Sequence, residues 1–135
     1  MEKLLIDTNI VIDLLAKREC FFQEAQELFT LADEKHLSLF ISALTFANTY
    51  YILTRELNAN EARKVMIKFM TLAKILPLEN KVLELALSSD FSDLEDAIQY
   101  YTTLDNKVTI IITRNKKDFK KSKLPVLTAR EYLNR

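Results

Sequence analysis

Three stretches of this chain carry residues suited to chemistry. Asp7 closes the apolar run Lys3-Leu4-Leu5-Ile6; Asp96 ends an acidic stretch that also holds Asp90, Asp93 and Glu95; Asn115 and Asp118 follow the β-branched run Val108–Thr113. An acid at the end of a buried strand has few structural partners of its own, so Asp7 stands out. Carboxylates brought from distant segments into one cleft repel each other, and their ionised forms need a cation to coexist. Oxygen donors favour Mg²⁺ or Mn²⁺ over zinc or copper. A carboxylate-held divalent ion beside a phosphate is the arrangement for metal-assisted phosphodiester cleavage. Within residues 107–123, Lys107, Arg114, Lys116, Lys117, Lys120, Lys121 and Lys123 face only Asp118. Such a run suits a nucleic-acid backbone, with Arg114, Lys116 and Lys117 nearest the acids; a solvated loop has the same composition.

The bulk composition narrows the alternatives. The 135 residues include no Gly, one His, one Cys and 19 basic against 19 acidic side chains. Without glycine, a P-loop, a Gly-rich dinucleotide turn or a Gly-x-Ser-x-Gly elbow cannot be built in its usual form. One Cys and one His exclude zinc sites of the usual His/Cys kind. The unpaired Cys20 favours a reducing compartment, no apolar run suits a membrane span, and the N-terminus lacks a signal-peptide pattern. The chain therefore reads as cytoplasmic. The length suits one domain, 1–135, and no linker or repeat divides it.

Strand and helix patterns must position these residues. Lys3–Ile6, Leu37–Ser42, Ile75–Leu78, Val108–Thr113 and Leu124–Leu127 read as strands, Val108–Thr113 as the central one. Between them lie helical patterns near 9–15, 21–35, 46–57, 59–73, 81–88 and 94–104, with Thr128 capping a terminal helix. Asn58, Asn80 and Asn106 stand where turns usually recruit Gly. The alternation predicts a three-layer α/β/α sandwich around a mainly parallel sheet of four or five strands. Sites in open parallel sheets lie at the C-terminal strand ends, which is where Asp7, Asn115 and Asp118 fall. A phosphoacceptor receiver domain would need an acid closing the third strand, and Leu76-Pro77-Leu78-Glu79 supplies no Asp there.

Read in order, these segments resemble the PIN-domain nucleases, and among them the VapC-like toxins of bacterial toxin–antitoxin pairs. Leu5-Ile6-Asp7-Thr8-Asn9 resembles the opening strand with its metal-binding Asp and the polar residue two places on. Glu95-Asp96-Ala97-Ile98-Gln99 resembles the Asp-Ala segment of the central acid. Ile111-Ile112-Thr113-Arg114-Asn115-Lys116-Lys117-Asp118-Phe119 resembles the Thr-Arg-Asn…Asp-Phe signature. The resemblance spans nearly the whole chain. It implies a Mg²⁺- or Mn²⁺-dependent ribonuclease in which Asp7, Asp96 and Asp118 hold metal. Asn115 joins the catalytic group, and Asn9, Asn48, Thr113 and Asp93 give possible support. Activated water attacks phosphorus in line, leaving 5′-phosphate and 3′-hydroxyl ends.

One position departs from the family pattern. Thr45-Phe46-Ala47-Asn48 places Asn48 where a Thr-x-x-Glu usually stands. An amide oxygen accepts or ligates but carries no charge, which implies weaker metal binding. A catalytically degenerate PIN-like module that binds RNA or protein is the alternative reading. The resemblance further implies a homodimer, partly through the apolar hairpin Phe46–Ala73, and an antitoxin segment that plugs the acidic cleft.

Overall fold

Strands that are apolar on both faces need covering on both faces, and this dictates the architecture. The computed structural model describes all 135 residues. Its strands are β1 (Glu2–Ile6), β2 (Leu37–Ser42), β3 (Lys74–Leu76), β4 (Ile110–Ile112) and β5 (Val126–Leu127). They form one five-stranded sheet in the order β3-β2-β1-β4-β5, with every pairing parallel. Seven helices connect and cover them: α1 (Thr8–Leu15), α2 (Phe22–Asp33), α3 (Ala43–Glu56), α4 (Ala59–Phe69), α5 (Asn80–Leu87), α6 (Leu94–Asp105) and α7 (Ala129–Leu133). A single 3-10 turn, Lys116–Phe119, links β4 to β5. The expected α/β/α sandwich is therefore present.

Side-chain alternation along the strands divides the core. Leu4 stands beside Leu39 and Ile110 in register, and Leu5 beside Phe40 and Ile111. Leu4, Ile6, Leu39, Ile41, Ile110 and Ile112 share one cluster with Ile10, Leu28, Phe29 and Phe69. The alternate residues Leu5, Phe40 and Ile111 pack with Tyr100, Val108 and Phe119 on the opposite side. The strand order reverses at β1, whose neighbours are β2 on one edge and β4 on the other. That reversal opens a crevice beyond the carboxyl ends of β1 and β4, where ligands bind in open α/β sheets.

Two expectations are corrected. The centre of the sheet is β1; β4 lies beside it and is paired only over Ile110–Ile112, although Val108 is buried. Nor do asparagines replace glycine at left-handed turns. Asn58 is an extended N-cap whose side chain accepts from Glu61 N, Asn80 starts α5, and Asn106 closes α6 at φ −101°. The left-handed positions are Lys17, Cys20, Lys35 and Lys107, at φ +51°, +77°, +64° and +57°. Lys35 and Lys107 each follow a helix C-cap and complete a Schellman pattern: His36 N donates to Leu31 O at 2.9 Å and Val108 N to Thr103 O at 3.1 Å. The pattern's two backbone hydrogen bonds hold a conformation that costs a lysine about 1 kcal/mol or more.

Candidate active site

Asp7 is the hub of the crevice. It is the N-cap of α1, and the turn from β1 into that helix leaves its carboxylate at the carboxyl end of the central strand. Its Oδ1 accepts from Thr8 N at 2.9 Å and from Gln99 Nε2 at 3.1 Å. Its Oδ2 accepts from Thr113 Oγ1 at 2.8 Å, with Asn9 Nδ2 more distant at 3.4 Å. Donors aimed at both oxygens fix its orientation.

Gln99 gives this site its rigidity. It is buried on α6, one turn beyond Asp96, and accepts from Ser42 Oγ while its amide also donates to Thr45 Oγ1 at 2.8 Å. Thr45 in turn meets the Thr8 hydroxyl at 2.9 Å. β1, β2, α3 and α6 are thereby tied together through one polar network inside the fold. Gln99 and Thr45 fall inside the quoted segments Glu95–Gln99 and Thr45–Asn48, but motif reading gave neither a role. The available signal was helical spacing, since residues three apart share a face and Gln99 follows Asp96 by three.

A cleft of about 490 Å³ opens over this network. Among its lining residues are Asp7, Asn9, Asn48, Glu95, Asp96, Gln99, Arg114, Asn115 and Asp118. Three segments far apart in sequence thus meet, as the strand-end argument expects. Asp96 is half-buried near the start of α6. Burial pushes its carboxyl up from 3.8 to about 7, and the charges of Asp93, Asp7, Asp118 and Glu95 add to the effect. A helix N-terminus normally favours an acid, but here four like charges and desolvation outweigh the dipole. The cleft therefore carries negative charge that its own cations do not neutralise at Asp96.

The other expected residues divide between the cleft and its supports. Thr113 is buried behind Asp7 and bonds it directly, and Asn9 reaches Thr113 Oγ1 at 3.2 Å. Asp93 caps α6 by accepting from Asp96 N at 3.1 Å, and does not line the cleft. Asn48 sits on the α3 wall with its amide 3.4 Å from Glu95 Oε2. Arg114 and Lys116 are not free cations. Arg114 forms a two-pronged ion pair with Asp13, and Lys116 pairs with Glu131 at 3.0 Å. Lys117 is exposed on the 3-10 turn and does not line the cleft. A cation that motif reading missed, Arg18, lines the cleft and pairs with Glu56.

No three acidic, His or Cys side chains are drawn into one metal-holding group. The donor set nonetheless fits a hard divalent cation. It offers carboxylate and amide oxygens only, and Mg²⁺ characteristically takes one or two protein carboxylates, keeping waters and substrate phosphates for the rest. The excess negative charge around Asp96 points the same way.

Comparison with known proteins agrees with this geometry. The sequence profile of the PIN domain matches residues 3–117. No curated protein sequence matches the chain. Its fold is similar to a toxin-antitoxin complex from Klebsiella pneumoniae, with TM-score 0.69 and 24% identity, covering 93% of this chain and 97% of that one. It is also similar to FitAcB from Neisseria gonorrhoeae, at TM-score 0.71 and 18% identity over 94% and 98% of the two chains. A third is VapC20 of Mycobacterium tuberculosis, a sarcin-ricin loop cleaving toxin, at TM-score 0.64 and 14% identity over 80% and 86%. At such identities the structural matches speak for the fold, while the profile match over most of the chain places it in a family. The chain belongs to the PIN-domain family.

Proposed function

We propose that this protein is a Mg²⁺- or Mn²⁺-dependent endoribonuclease, acting as the cytoplasmic toxin of a toxin–antitoxin pair. The observation that carries the reading is the convergence of Asp7, Asp96 and Asp118 on one cleft where like charges crowd Asp96. Asp7 and Asp96, with help from Asp118, would hold the metal, which when bound supplies Lewis-acid activation of water and neutralises phosphate charge. Asp7 is pre-oriented by Gln99 and Thr113, so its oxygens need not reorganise during reaction. Asp96 takes up a proton near neutral pH and must release it when a cation binds. Asn115, exposed where it lines the cleft, offers an amide group to a phosphate, while the Asn9 amide is engaged with Asp7, Thr113 and Arg114 N. Lys117, with Lys120 and Lys121, exposes positive charge beside the acids for an RNA strand. No histidine base is required.

The neighbours in fold include proteins described as toxin–antitoxin complexes and one described as a toxin that cleaves the sarcin-ricin loop. They support a small antitoxin partner and an RNA substrate here. The exposed Tyr51, Ile67 and Met70 on and just beyond the α3–α4 hairpin support a homodimer. No helix is long and apolar enough to cross a membrane. Purified protein with Mn²⁺ is expected to cleave single-stranded RNA, and the Asp7→Asn, Asp96→Asn double variant to lose that activity. Identical behaviour of the two proteins refutes the reading.

The absence of a three-acid group, with uncharged Asn48 on the wall, favours one second reading: a PIN-like module that binds RNA or protein without cutting. Intact RNA together with saturable, metal-independent RNA binding would identify it.

A further inference from the structure

Asp13 has no part in the cleft chemistry, yet its side chain is 1% exposed and charged, on a helix otherwise buried through Ile10, Val11 and Ile12. Buried acids are costly without a partner. Its partner is Arg114: Nε donates to Asp13 Oδ2 at 2.8 Å and NH2 to Oδ1 at 3.1 Å. The guanidinium also lies over the Phe21 ring, 4.1 Å from its centroid. Two parallel N–H···O bonds fix the plane of the arginine as well as its distance. Only the Asp13 side of the pair is buried, Arg114 being 35% exposed, so desolvation of the acid offsets much of the attraction and what the pair supplies is definition of geometry.

The location of Arg114 makes that geometry matter. Arg114 immediately precedes Asn115, and its backbone N–H donates to Asn9 Oδ1 at 3.2 Å. The 3-10 turn then closes with Asp118 N donating to Asn115 O at 3.0 Å, and ends on the buried Phe119. Asn115 and Asp118 are themselves exposed; the segment is held by buried Phe119, by Arg114, by the Asn115 N–H bond to Thr113 Oγ1 at 3.1 Å and by the exposed Lys116–Glu131 pair. We infer that Asp13 is a positioning residue of the cleft: its two-pronged pair with Arg114 clamps the segment bearing Asn115 and Asp118 against the helix headed by Asp7. Its effect on cleavage rests on the nuclease reading; its effect on the segment's geometry does not.

The test uses the full chain with Asp13→Asn, which keeps the volume and removes the charge. Amide hydrogen exchange is expected to quicken at Asn115–Phe119 while α5 exchanges as before. Mn²⁺ affinity by calorimetry should fall. In cleavage of a labelled single-stranded RNA, kcat should drop by up to about 10²-fold for a displacement near 1 Å, with KM little changed. Asp13→Glu should recover part of the loss. Should Asp13→Asn fold poorly, the double variant Asp13→Leu, Arg114→Met refills the site with apolar groups and still removes the clamp; it should show the same local quickening. Unchanged exchange at Asn115–Phe119 overturns the inference, as does a uniform rise across the chain. If the wild type itself cuts no RNA, the nuclease reading fails and the exchange pattern alone decides the clamp.

Discussion

Asp96→Asn should stabilise the metal-free protein while destroying its activity. The carboxyl of Asp96 is raised from 3.8 to about 7 by burial and by Asp93, Asp7, Asp118 and Glu95. Its folded pKa lies above its unfolded one, so the folded state binds more protons between those values. Stability from this group therefore falls as pH rises from about 4 towards 7, and the penalty is complete above 7. A shift of this size corresponds to about 4 kcal/mol at 1.4 kcal/mol per unit, but the group is only half-buried and water screens it. About 1–2 kcal/mol is the expected gain at pH 8, or roughly 3–8 °C in Tm for a chain of this size. Urea denaturation of wild type and variant in EDTA at pH 4, 6 and 8 measures it. The difference between the two proteins cancels the titration of all other acids. It should vanish near pH 4 and grow to its full value by pH 8. Millimolar Mg²⁺ should stabilise the wild type at pH 8 and not the variant. A variant no more stable than wild type at pH 8, or a gain independent of pH, refutes the idea of a charge-strained site.

Gln99→Leu should cost about 1–3 kcal/mol, because Ser42 Oγ loses its acceptor and Thr45 Oγ1 its amide donor inside the fold; cleavage should fall further than that destabilisation explains, since Asp7 loses a fixed donor. Asn48→Glu adds a carboxylate beside Glu95, so calorimetry should show tighter Mn²⁺ binding at pH 8, and weaker binding would mean that the amide suits its place. Lys35→Gly relieves a left-handed lysine far from the cleft and should raise stability by about 1 kcal/mol, read as a shift in urea midpoint with unchanged slope.

How much of this was legible beforehand differs from level to level. The alternation of apolar strands and helices, the site at the strand ends, and the three acidic segments all follow from local pattern, because burial on two faces and helix periodicity are written residue by residue. The expectation of asparagine at left-handed turns failed for a local reason too. Asparagine caps helix starts as readily as it tolerates positive φ, and the left-handed turns that do occur after α2 and α6 hold lysine through their Schellman hydrogen bonds.

What only the tertiary structure decided is which charges are spent. Arg114 and Lys116 look alike with Lys117 in a basic run, yet two of the three are neutralised by Asp13, 101 residues away, and by Glu131, 15 residues on. Gln99 ends a motif segment without a role assigned by it, and its importance comes from bonding Asp7 across 92 residues. Asp96 is an ordinary acid until folding removes part of its water and adds Asp7 and Asp118 to the local charges of Asp93 and Glu95. Composition and spacing determine which elements form and which edge holds the acids. Pairing, desolvation and mutual repulsion depend on distances through space, and only the folded chain sets those.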